Sequence, residues 1–339
     1  MVPRKDGAKE GLVSVRAWQF TETHEPLVLN EVAEPEVAPG EVLIDVKAAG
    51  LCHSDVGLLD DPGWLSLLGK RPITPGHEVA GVISEVGDGV TGWQLGDRVG
   101  ICPSAATLPG YQRDGGYSFR VSARQEDLVR IPENVSFEQG AAGTDAGMTS
   151  HHAVMTAGQV RAGDKVGIIG LGGLGQIGAR IAVLAGAEVH VAEINEQVWP
   201  LAREIGASSV VSDVRDLPGG SVPPDVYAGK DLDVIVDFAG FGDTTVAAVD
   251  TVRFGGRVVL VGMGKLEAVI DTKSLILKRV QLVGSMGGDV DDVRGVYDFV
   301  ATGRLNPTIT TIGFDEIPEG LEKLRNGEVT GRLVARIAE

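Results

Sequence analysis

The sequence contains little cysteine and no long apolar run. Only two cysteines, Cys52 and Cys102, occur among 339 residues, so a metal site of four cysteines is excluded. No apolar stretch reaches the roughly 18 residues that span a bilayer, and we expect no transmembrane helix and no membrane partner. The first residues carry charges without the apolar core of a signal peptide. These features favour the reducing cytoplasm as the location.

Positive charge is also scarce. Thirty Lys and Arg residues stand against 47 Asp and Glu residues, and the formal net charge is −17. Nucleic acids and anionic membranes reward Lys and Arg, so neither is an expected partner. A hydrophobic content of 43% is sufficient for sizeable cores, and the length suggests about two domains.

One segment, residues 165–193, carries a clear nucleotide-binding pattern. The apolar, β-branched run 166–169 predicts a buried strand, and the next six residues, GLGGLG, fit G-x-G-x-x-G. An apolar helical run at 176–185 and a second strand at 188–194 follow, with the acidic Glu193 near its end. Strand, glycines, helix, strand and acid in this order predict a βαβ unit that binds a dinucleotide.

Each part of this motif has a chemical reason. Gly170 permits the tight turn, Gly172 lets the backbone approach a pyrophosphate, and Gly175 lets the helix pack on the strand. Glu193 would accept hydrogen bonds from the adenosine ribose and repel a phosphate there, and residues 194–197 contain no Lys or Arg, which favours NAD over NADP. The predicted cofactor-binding positions here and after a later strand are Gly170, Gly172, Gly173, Leu174, Gly175, Glu193, Asn195, Gly262 and Met263.

The segments that flank this unit read differently. The part before residue 131 predicts strands between Gly- and Pro-rich turns, at 13–20, 27–32, 41–48, 79–86 and 117–121, with a loop at 58–71. Strands at 209–212, 233–238, 257–262 and 280–284 with a helix at 244–253 predict a parallel sheet. After residue 287 we expect a helix at 289–302, a strand at 308–313, a helix at 317–326 and a strand at 330–337. A helix is also expected from 137 to 156.

Three residues at turns are candidate metal ligands. Cys52, His77 and Asp145 are suitable ligand types, and Glu78 adds a carboxylate beside His77. Three protein ligands with an open position describe a catalytic zinc site. Taken singly, each has a plainer interpretation: Cys52 as a small buried apolar residue, His77 as a core or surface histidine, and Asp145 as a helix cap.

A resemblance to a known family resolves these alternatives. The runs GLCHSD, PGHEVAGVISEVG, GDRV, TDAGMTSHHAV and GLGGLGQIG resemble, in order, the zinc-dependent alcohol dehydrogenases of the medium-chain dehydrogenase/reductase superfamily. The resemblance implies an α/β protein with a GroES-like β-rich catalytic domain, at 1–146 and 288–339, and a Rossmann doubly wound parallel-sheet domain at 147–287. It also implies one catalytic zinc ion held by Cys52, His77 and Asp145, with Glu78 able to approach the metal.

Other roles also follow from the resemblance. Ser54 would hydrogen-bond the substrate oxygen, Asp55 would orient the zinc-bound histidine, and His53 and Arg332 would reach the cofactor pyrophosphate. A solvated surface charge is the alternative for Arg332.

The chain departs from some family members at two points. No structural-zinc lobe is present, so we expect Cys102 to fill a core, and Gly57 stands where some members have a relay histidine. His151 and His152 are expected to be structural.

The implied activity is hydride transfer between an alcohol or carbonyl substrate and NAD. The predicted pocket walls are Trp64, Pro103, Tyr111 and Met263, and a homodimer or homotetramer is expected. The alternatives are a zinc-free reductase of activated C=C bonds or quinones, and a zinc enzyme for polyols, cyclic alcohols or CoA-linked alcohols. A binding protein that retains only the cofactor site is disfavoured because the ligand set and Ser54 are all present.

The role of Glu193 in cofactor choice is directly testable. Replacement of Glu193 by Ala should weaken NAD binding far more than NADP binding. The ribose hydroxyls of NAD donate hydrogen bonds to the carboxylate, whereas the carboxylate repels the ribose phosphate of NADP. Dissociation constants of both dinucleotides, measured by fluorescence titration, check this. An unchanged preference between the two would remove Glu193 from the ribose site.

Overall fold

The computed structural model describes residues 14–103, 108–218 and 230–338. Within these ranges the strands form two large sheets and one hairpin. The strands are β1 Ser14–Gln19, β2 Val28–Ala33, β3 Glu41–Leu51, β4 Glu78–Val86, β5 Arg98–Ile101, β6 Arg120–Arg124, β7 Leu128–Arg130, β8 Lys165–Ile169, β9 Glu188–Ala192, β10 Ser209–Val211, β11 Val234–Asp237, β12 Arg257–Leu260, β13 Gln281–Gly284, β14 Ile309–Gly313 and β15 Arg332–Arg336.

The first large sheet is built from both ends of the chain. Its order is β14-β15-β3-β4-β5-β7, with β6 also paired to β3. β15 and β4 lie antiparallel on either side of β3, and Gly50 is opposite both Val334 and Glu78. The central strands read as nearly continuous buried runs because both of their faces are covered. The last segment of the chain thus returns to the sheet of the first segment, as predicted.

The second large sheet is entirely parallel and has the order β10-β9-β8-β11-β12-β13. Each half places its strands outward from the centre, so the order reverses between β8 and β11. Ligands of such sheets bind at the carboxyl ends of the strands beside this switch point. The predicted doubly wound α/β sheet is therefore confirmed, while the boundaries at 146/147 and 287/288 stay predictions.

The helices connect and cover these sheets. They are α1 His53–Asp60, α2 Phe137–Ala142, α3 Met148–His151, α4 Gly175–Leu184, α5 Trp199–Ile205, α6 Asp243–Thr251, α7 Thr272–Lys278, α8 Val290–Ala301 and α9 Ile317–Arg325. No helix in the described ranges is long and apolar enough to cross a membrane.

Two sequence expectations about elements were wrong, and one helix was missed. The loop expected at 58–71 contains the end of α1 and a 3₁₀ turn at Pro62–Leu67. The strand expected at 117–121 lies instead at β6, because Tyr117 is held by its backbone outside the ladder. Helix α7 was not predicted, since its exposed apolar residues give no clear periodicity.

The expected helix at 137–156 is a helical run with two widened turns. Gly143–Gly147 and His152–Ala157 are π-helical, on either side of α3. π-turns insert an extra residue, and they occur frequently at functional sites. The first of them carries Asp145, which lies within the helical run and does not cap a helix start.

Candidate metal and cofactor site

Neighbouring strands bring the candidate ligands together. Cys52 follows β3 and caps α1, while Glu78 begins β4 directly after His77. A Cβ atom at Gly50 would lie 1.8 Å from Oε2 of Glu78, so a side chain on β3 here would exclude the glutamate. The glycine in the GLCHSD run therefore has a packing reason.

Cys52, His77 and Asp145, with Glu78, form one compact group whose potential ligand atoms all lie within 4.8 Å of one another. We call the first three the ligand cluster. Sγ of Cys52 lies 3.9 Å from Oδ2 of Asp145, and Nε2 of His77 lies 3.4 Å from the same oxygen. The hydroxyl of Ser54 lies 3.5 Å from Nε2 of His77. The structure thus brings the predicted ligands and Ser54 to one point.

Asp55 contacts both His77 and the backbone of Cys52, and it thereby helps to fix the ligand cluster. Its Oδ1 lies 3.4 Å from Nδ1 of His77, so the opposite ring nitrogen faces the ligand cluster. Its Oδ2 accepts hydrogen bonds from the backbone N–H of Cys52 at 3.0 Å and from the Tyr117 hydroxyl at 2.8 Å. Tyr117 was missed by the sequence reading because its position in an irregular turn gives no signal.

The cluster carries strongly perturbed pKa values. Burial raises the pKa of the Cys52 thiol, but the Arg332 guanidinium and His77 outweigh it and lower the value to about 7. Burial lowers the pKa of His77, yet the charge of Asp55 and the contact with Asp145 raise it well above its usual value. Burial likewise raises the pKa of Asp145, and His77 and Arg332 reverse the effect and lower it.

Arg332 is not the solvated surface charge that the alternative interpretation allowed. It is 3% exposed, and Glu78, its partner, is fully buried. Nε of Arg332 donates to Oε2 of Glu78 at 3.0 Å, Nη2 contacts the other carboxylate oxygen, and Asp145 lies 3.8 Å away. Both oxygens of Glu78 are therefore engaged by Arg332, while the carboxylate also lies within 4.8 Å of the ligand atoms of the cluster.

The glycine loop has the geometry that the motif predicts. Gly170 has a φ of +83°, and a Cβ atom at Gly175 would lie 1.9 Å from the carbonyl oxygen of Gly170. Glu193 spans the loop, because its carboxylate accepts hydrogen bonds from the backbone N–H groups of Leu171 and Asn195, each at 2.7 Å. Glu193 thus stabilises the conformation of the glycine loop.

One predicted wall residue, Tyr111, contacts the ligand cluster at His77, and a second, Trp64, packs against Tyr111. The Tyr111 ring lies 5.8 Å from that of His77 and 6.2 Å from that of Trp64, and its hydroxyl donates to the Ser54 carbonyl. Tyr111 is 3% exposed, so it supports the wall more than it faces an open pocket. A Cβ atom at Gly57 would lie 2.8 Å from the Trp64 indole, which occupies the space of a side chain there.

The remaining predicted residues lie farther from these contacts. Met263 is 60% exposed in the segment after β12, which also contains Gly262. Pro103 is buried next to residues 104–107, which lie outside the described ranges. His53 lies at the start of α1 and is exposed. These contacts leave their predicted roles as predictions.

The two histidines after Asp145 have structural partners. Nδ1 of His151 and Nδ1 of His152 lie 2.6 Å and 2.9 Å from the two carboxylate oxygens of Asp292 in α8. Cys102 is buried with its sulfur 3.4 Å from the sulfur of Met148. Both observations agree with the structural roles expected for these residues.

Comparison with known proteins identifies the family. The alcohol dehydrogenase GroES-like domain model matches residues 38–133, and the zinc-binding dehydrogenase model matches residues 173–302. An alcohol dehydrogenase of Geobacillus stearothermophilus is 33% identical over 333 residues, which cover 92% of this chain and 96% of that protein.

Solved structures agree with this assignment. Acetophenone reductase from Geotrichum candidum in complex with NAD is 28% identical, with a TM-score of 0.85 over 96% of this chain and 97% of that one. The alcohol dehydrogenase of Aeropyrum pernix is 29% identical, with a TM-score of 0.83 over 95% of this chain and all of that one. The chain therefore belongs to the zinc-dependent alcohol dehydrogenases of the medium-chain dehydrogenase/reductase superfamily.

Proposed function

We propose that this chain is an NAD-dependent alcohol dehydrogenase that transfers hydride between an alcohol or carbonyl substrate and NAD, with one zinc ion in the ligand cluster. The observation that carries the proposal is the convergence of Cys52, His77 and Asp145 within 4.8 Å. The family membership and the glycine loop with Glu193 support it. A zinc-free reductase has no use for this cluster, which disfavours that alternative.

The donor set fits a zinc ion. One sulfur, one imidazole nitrogen and one carboxylate oxygen leave a fourth, open position, as in catalytic rather than structural zinc sites. Nδ1 of His77 and Oδ1 of Asp55 are both buried without a standard hydrogen bond in the metal-free arrangement. A small closure of their 3.4 Å separation would make the carboxylate–histidine pair that orients a metal-bound imidazole.

Separate residues of the chain would then handle the substrate proton and bind the cofactor. Zinc, when bound, supplies Lewis-acid polarisation of the substrate oxygen. Ser54 lies beside the cluster and would accept the proton of the alcohol, and Gly57 offers no side chain to relay that proton further. Arg332, His53 and the glycine loop hold the pyrophosphate, and Glu193 holds the adenosine ribose.

The walls favour an apolar substrate. The Tyr111 ring packs against His77 of the ligand cluster and against the Trp64 indole, so aromatic groups support this side of the site. Met263 and Pro103 are the other two apolar residues of the proposed wall. We therefore propose a hydrophobic alcohol, aldehyde or ketone as the substrate.

Metal content and turnover test the ligand assignment. Replacement of Asp145 by Ala should remove zinc and lower NAD-dependent alcohol oxidation by roughly 100-fold or more, since a ligand and its charge are lost together. Zinc per chain, measured by mass spectrometry, should be one in the parent protein and well below one in the variant.

A matched control uses the second cysteine. Replacement of Cys52 by Ala should have the same effect as the Asp145 variant, while replacement of Cys102 by Ala should keep zinc and activity. An Asp145 variant with full zinc and full activity would refute the ligand assignment. Two zinc ions per chain in the parent protein would contradict the single site.

Zinc affinity should depend on pH. The pKa of Cys52 is about 7 and that of His77 is raised in the metal-free protein, so both groups bind protons as pH falls. Zinc needs the deprotonated forms, and its affinity should fall by about tenfold or more per unit below pH 7. Competition with a chromophoric chelator between about pH 6 and pH 8 measures this, and a constant affinity would contradict it.

We also propose a homo-oligomer formed through the edge of the parallel sheet. β13 has one neighbour in the described sheet and an open edge. Exposed apolar side chains lie on and around it, among them Val269 at 94%, Ile276 at 71%, Leu282 at 36% and Met286 at 85%. A second copy would bury such residues, which a monomer rarely leaves exposed together.

Charges at this edge should separate the subunits. Light scattering of the double variant Ile276→Asp and Leu282→Asp should show a smaller species than the parent protein, because each carboxylate would be desolvated in the interface. Leu95→Asp, at an exposed turn before β5, is the control and should keep the parent size. A monomeric parent protein would contradict the proposal.

The reducing cytoplasm remains the proposed location. Cys52 and Cys102 are both free thiols in the structure, which supports this proposal, as does the thiolate chemistry that Cys52 needs.

A further inference from the structure

Helix α4, which begins at the end of the glycine loop, is tied to the chain segment before β14. Gln176, its second residue, is 3% exposed. Its Oε1 accepts a hydrogen bond from the N–H of Thr308 at 2.9 Å, and its Nε2 donates to the carbonyl oxygen of Thr308 at 3.3 Å. The carboxamide satisfies both backbone groups of one residue, as a neighbouring strand would.

The same carbonyl oxygen also holds the backbone of Arg332. The N–H of Arg332 donates to the carbonyl oxygen of Thr308 at 2.8 Å, where β14 and β15 begin to pair. Gly331 has a φ of +80°, and a Cβ atom there would lie 2.3 Å from this oxygen. The close packing leaves Thr308 little freedom, so Gln176 and Arg332 are held at a defined separation through one peptide group.

The side chain of Arg332 lies between the two functional sites. A Cβ atom at Gly173, in the glycine loop, would lie 3.1 Å from Nη1 of Arg332. The other side of the guanidinium is paired with Glu78 and lies 3.8 Å from Asp145 of the ligand cluster. A displacement of Arg332 by a few tenths of an ångström therefore changes its distance to both sites.

We propose that Gln176 is a positioning residue that couples dinucleotide binding to metal binding by fixing Arg332 between them. This inference rests on the proposed function, in which the glycine loop binds NAD and the ligand cluster binds zinc. A divalent cation would compensate the carboxylate of Asp145 and leave more of the Arg332 charge for an anion at the glycine loop. This stronger attraction between Arg332 and an anion at the glycine loop requires that the Arg332 backbone stays fixed relative to α4.

Without the Gln176 contact, the segment 308–332 would shift when a cation binds, and Arg332 would not keep its position relative to the glycine loop. Zinc and dinucleotide would then still bind, but each with less dependence on the other. Coupling of this kind is reciprocal, so it can be measured from either ligand. The relevant quantity is the ratio of two dissociation constants for NADH, in metal-free and in zinc-loaded protein.

The test is the isosteric variant Gln176→Met, which keeps the volume and removes both hydrogen bonds. NADH fluorescence titrations are made with parent and variant, each zinc-loaded and after chelation. In the parent protein zinc should tighten NADH binding by about fivefold or more. In the variant we expect this ratio to fall below about twofold, while the zinc-loaded melting temperature changes little.

Arg180 offers a matched control on the same helix. Its Nε donates to the carbonyl oxygen of Arg304 at 2.7 Å and its Nη1 to that of Ile205, so it also ties α4 to the segment before β14. Arg180→Met should keep the ratio of the parent protein. An equal loss in both variants would mean that every tie between α4 and this segment is needed, and would overturn the specific role of Gln176.

The other outcomes are equally decisive. A parent ratio that persists in Gln176→Met overturns the inference. If that variant does not fold, Gln176→Glu replaces it: Glu keeps the acceptor for the Thr308 N–H and loses the donor, and its ratio must fall below that of the parent protein. A parent protein that binds neither zinc nor NADH refutes the proposed function, whereas one that binds both with a ratio of one refutes only the coupling.

Discussion

The buried ion pair between Arg332 and Glu78 is the interaction on which the rest of the site depends. Removal of one partner of a buried ion pair costs about 3–5 kcal/mol, so loss of either residue should strongly destabilise this part of the fold. Formation of the pair requires β15 and β4 to lie on either side of β3, with Gly50 leaving space between them. The last segment of the chain is thereby fixed against the first, close to Cys52.

This constraint also sets the electrostatics of the ligand cluster. The Arg332 guanidinium favours the charged forms of Cys52 and Asp145, whose pKa values are lowered, whereas burial outweighs it at Glu78 and raises the pKa of that carboxyl to about 8. Asp55 acts in the opposite direction on His77 and raises its pKa. The site thus gathers a thiol, an imidazole and a carboxylate in one buried place, which is a donor set that a divalent cation can use.

Much of this could be predicted from the sequence, for a physical reason. The glycine loop, Glu193 and the βαβ order are local patterns, in which each residue acts on near neighbours in the chain, and the structure places them as predicted. The ligands Cys52, His77 and Asp145 lie far apart in sequence, and spacing alone left plainer interpretations open. The family resemblance decided between them, because it supplies the long-range contacts that a single sequence does not encode visibly.

The sequence could not show contacts between residues that belong to no recognisable motif. At Tyr117 and Gln176 the predicted secondary structure does not depend on the residue type. Their roles appear only in the structure, where Asp55 and Thr308 are their hydrogen-bond partners. The same holds for Gly57, whose space is filled by an indole seven residues further on. A missing relay histidine is visible in sequence, but its replacement by the Trp64 ring is not. The Trp64 ring in turn packs against Tyr111, and Tyr111 packs against His77, so position 57 is linked to the ligand cluster through two aromatic rings.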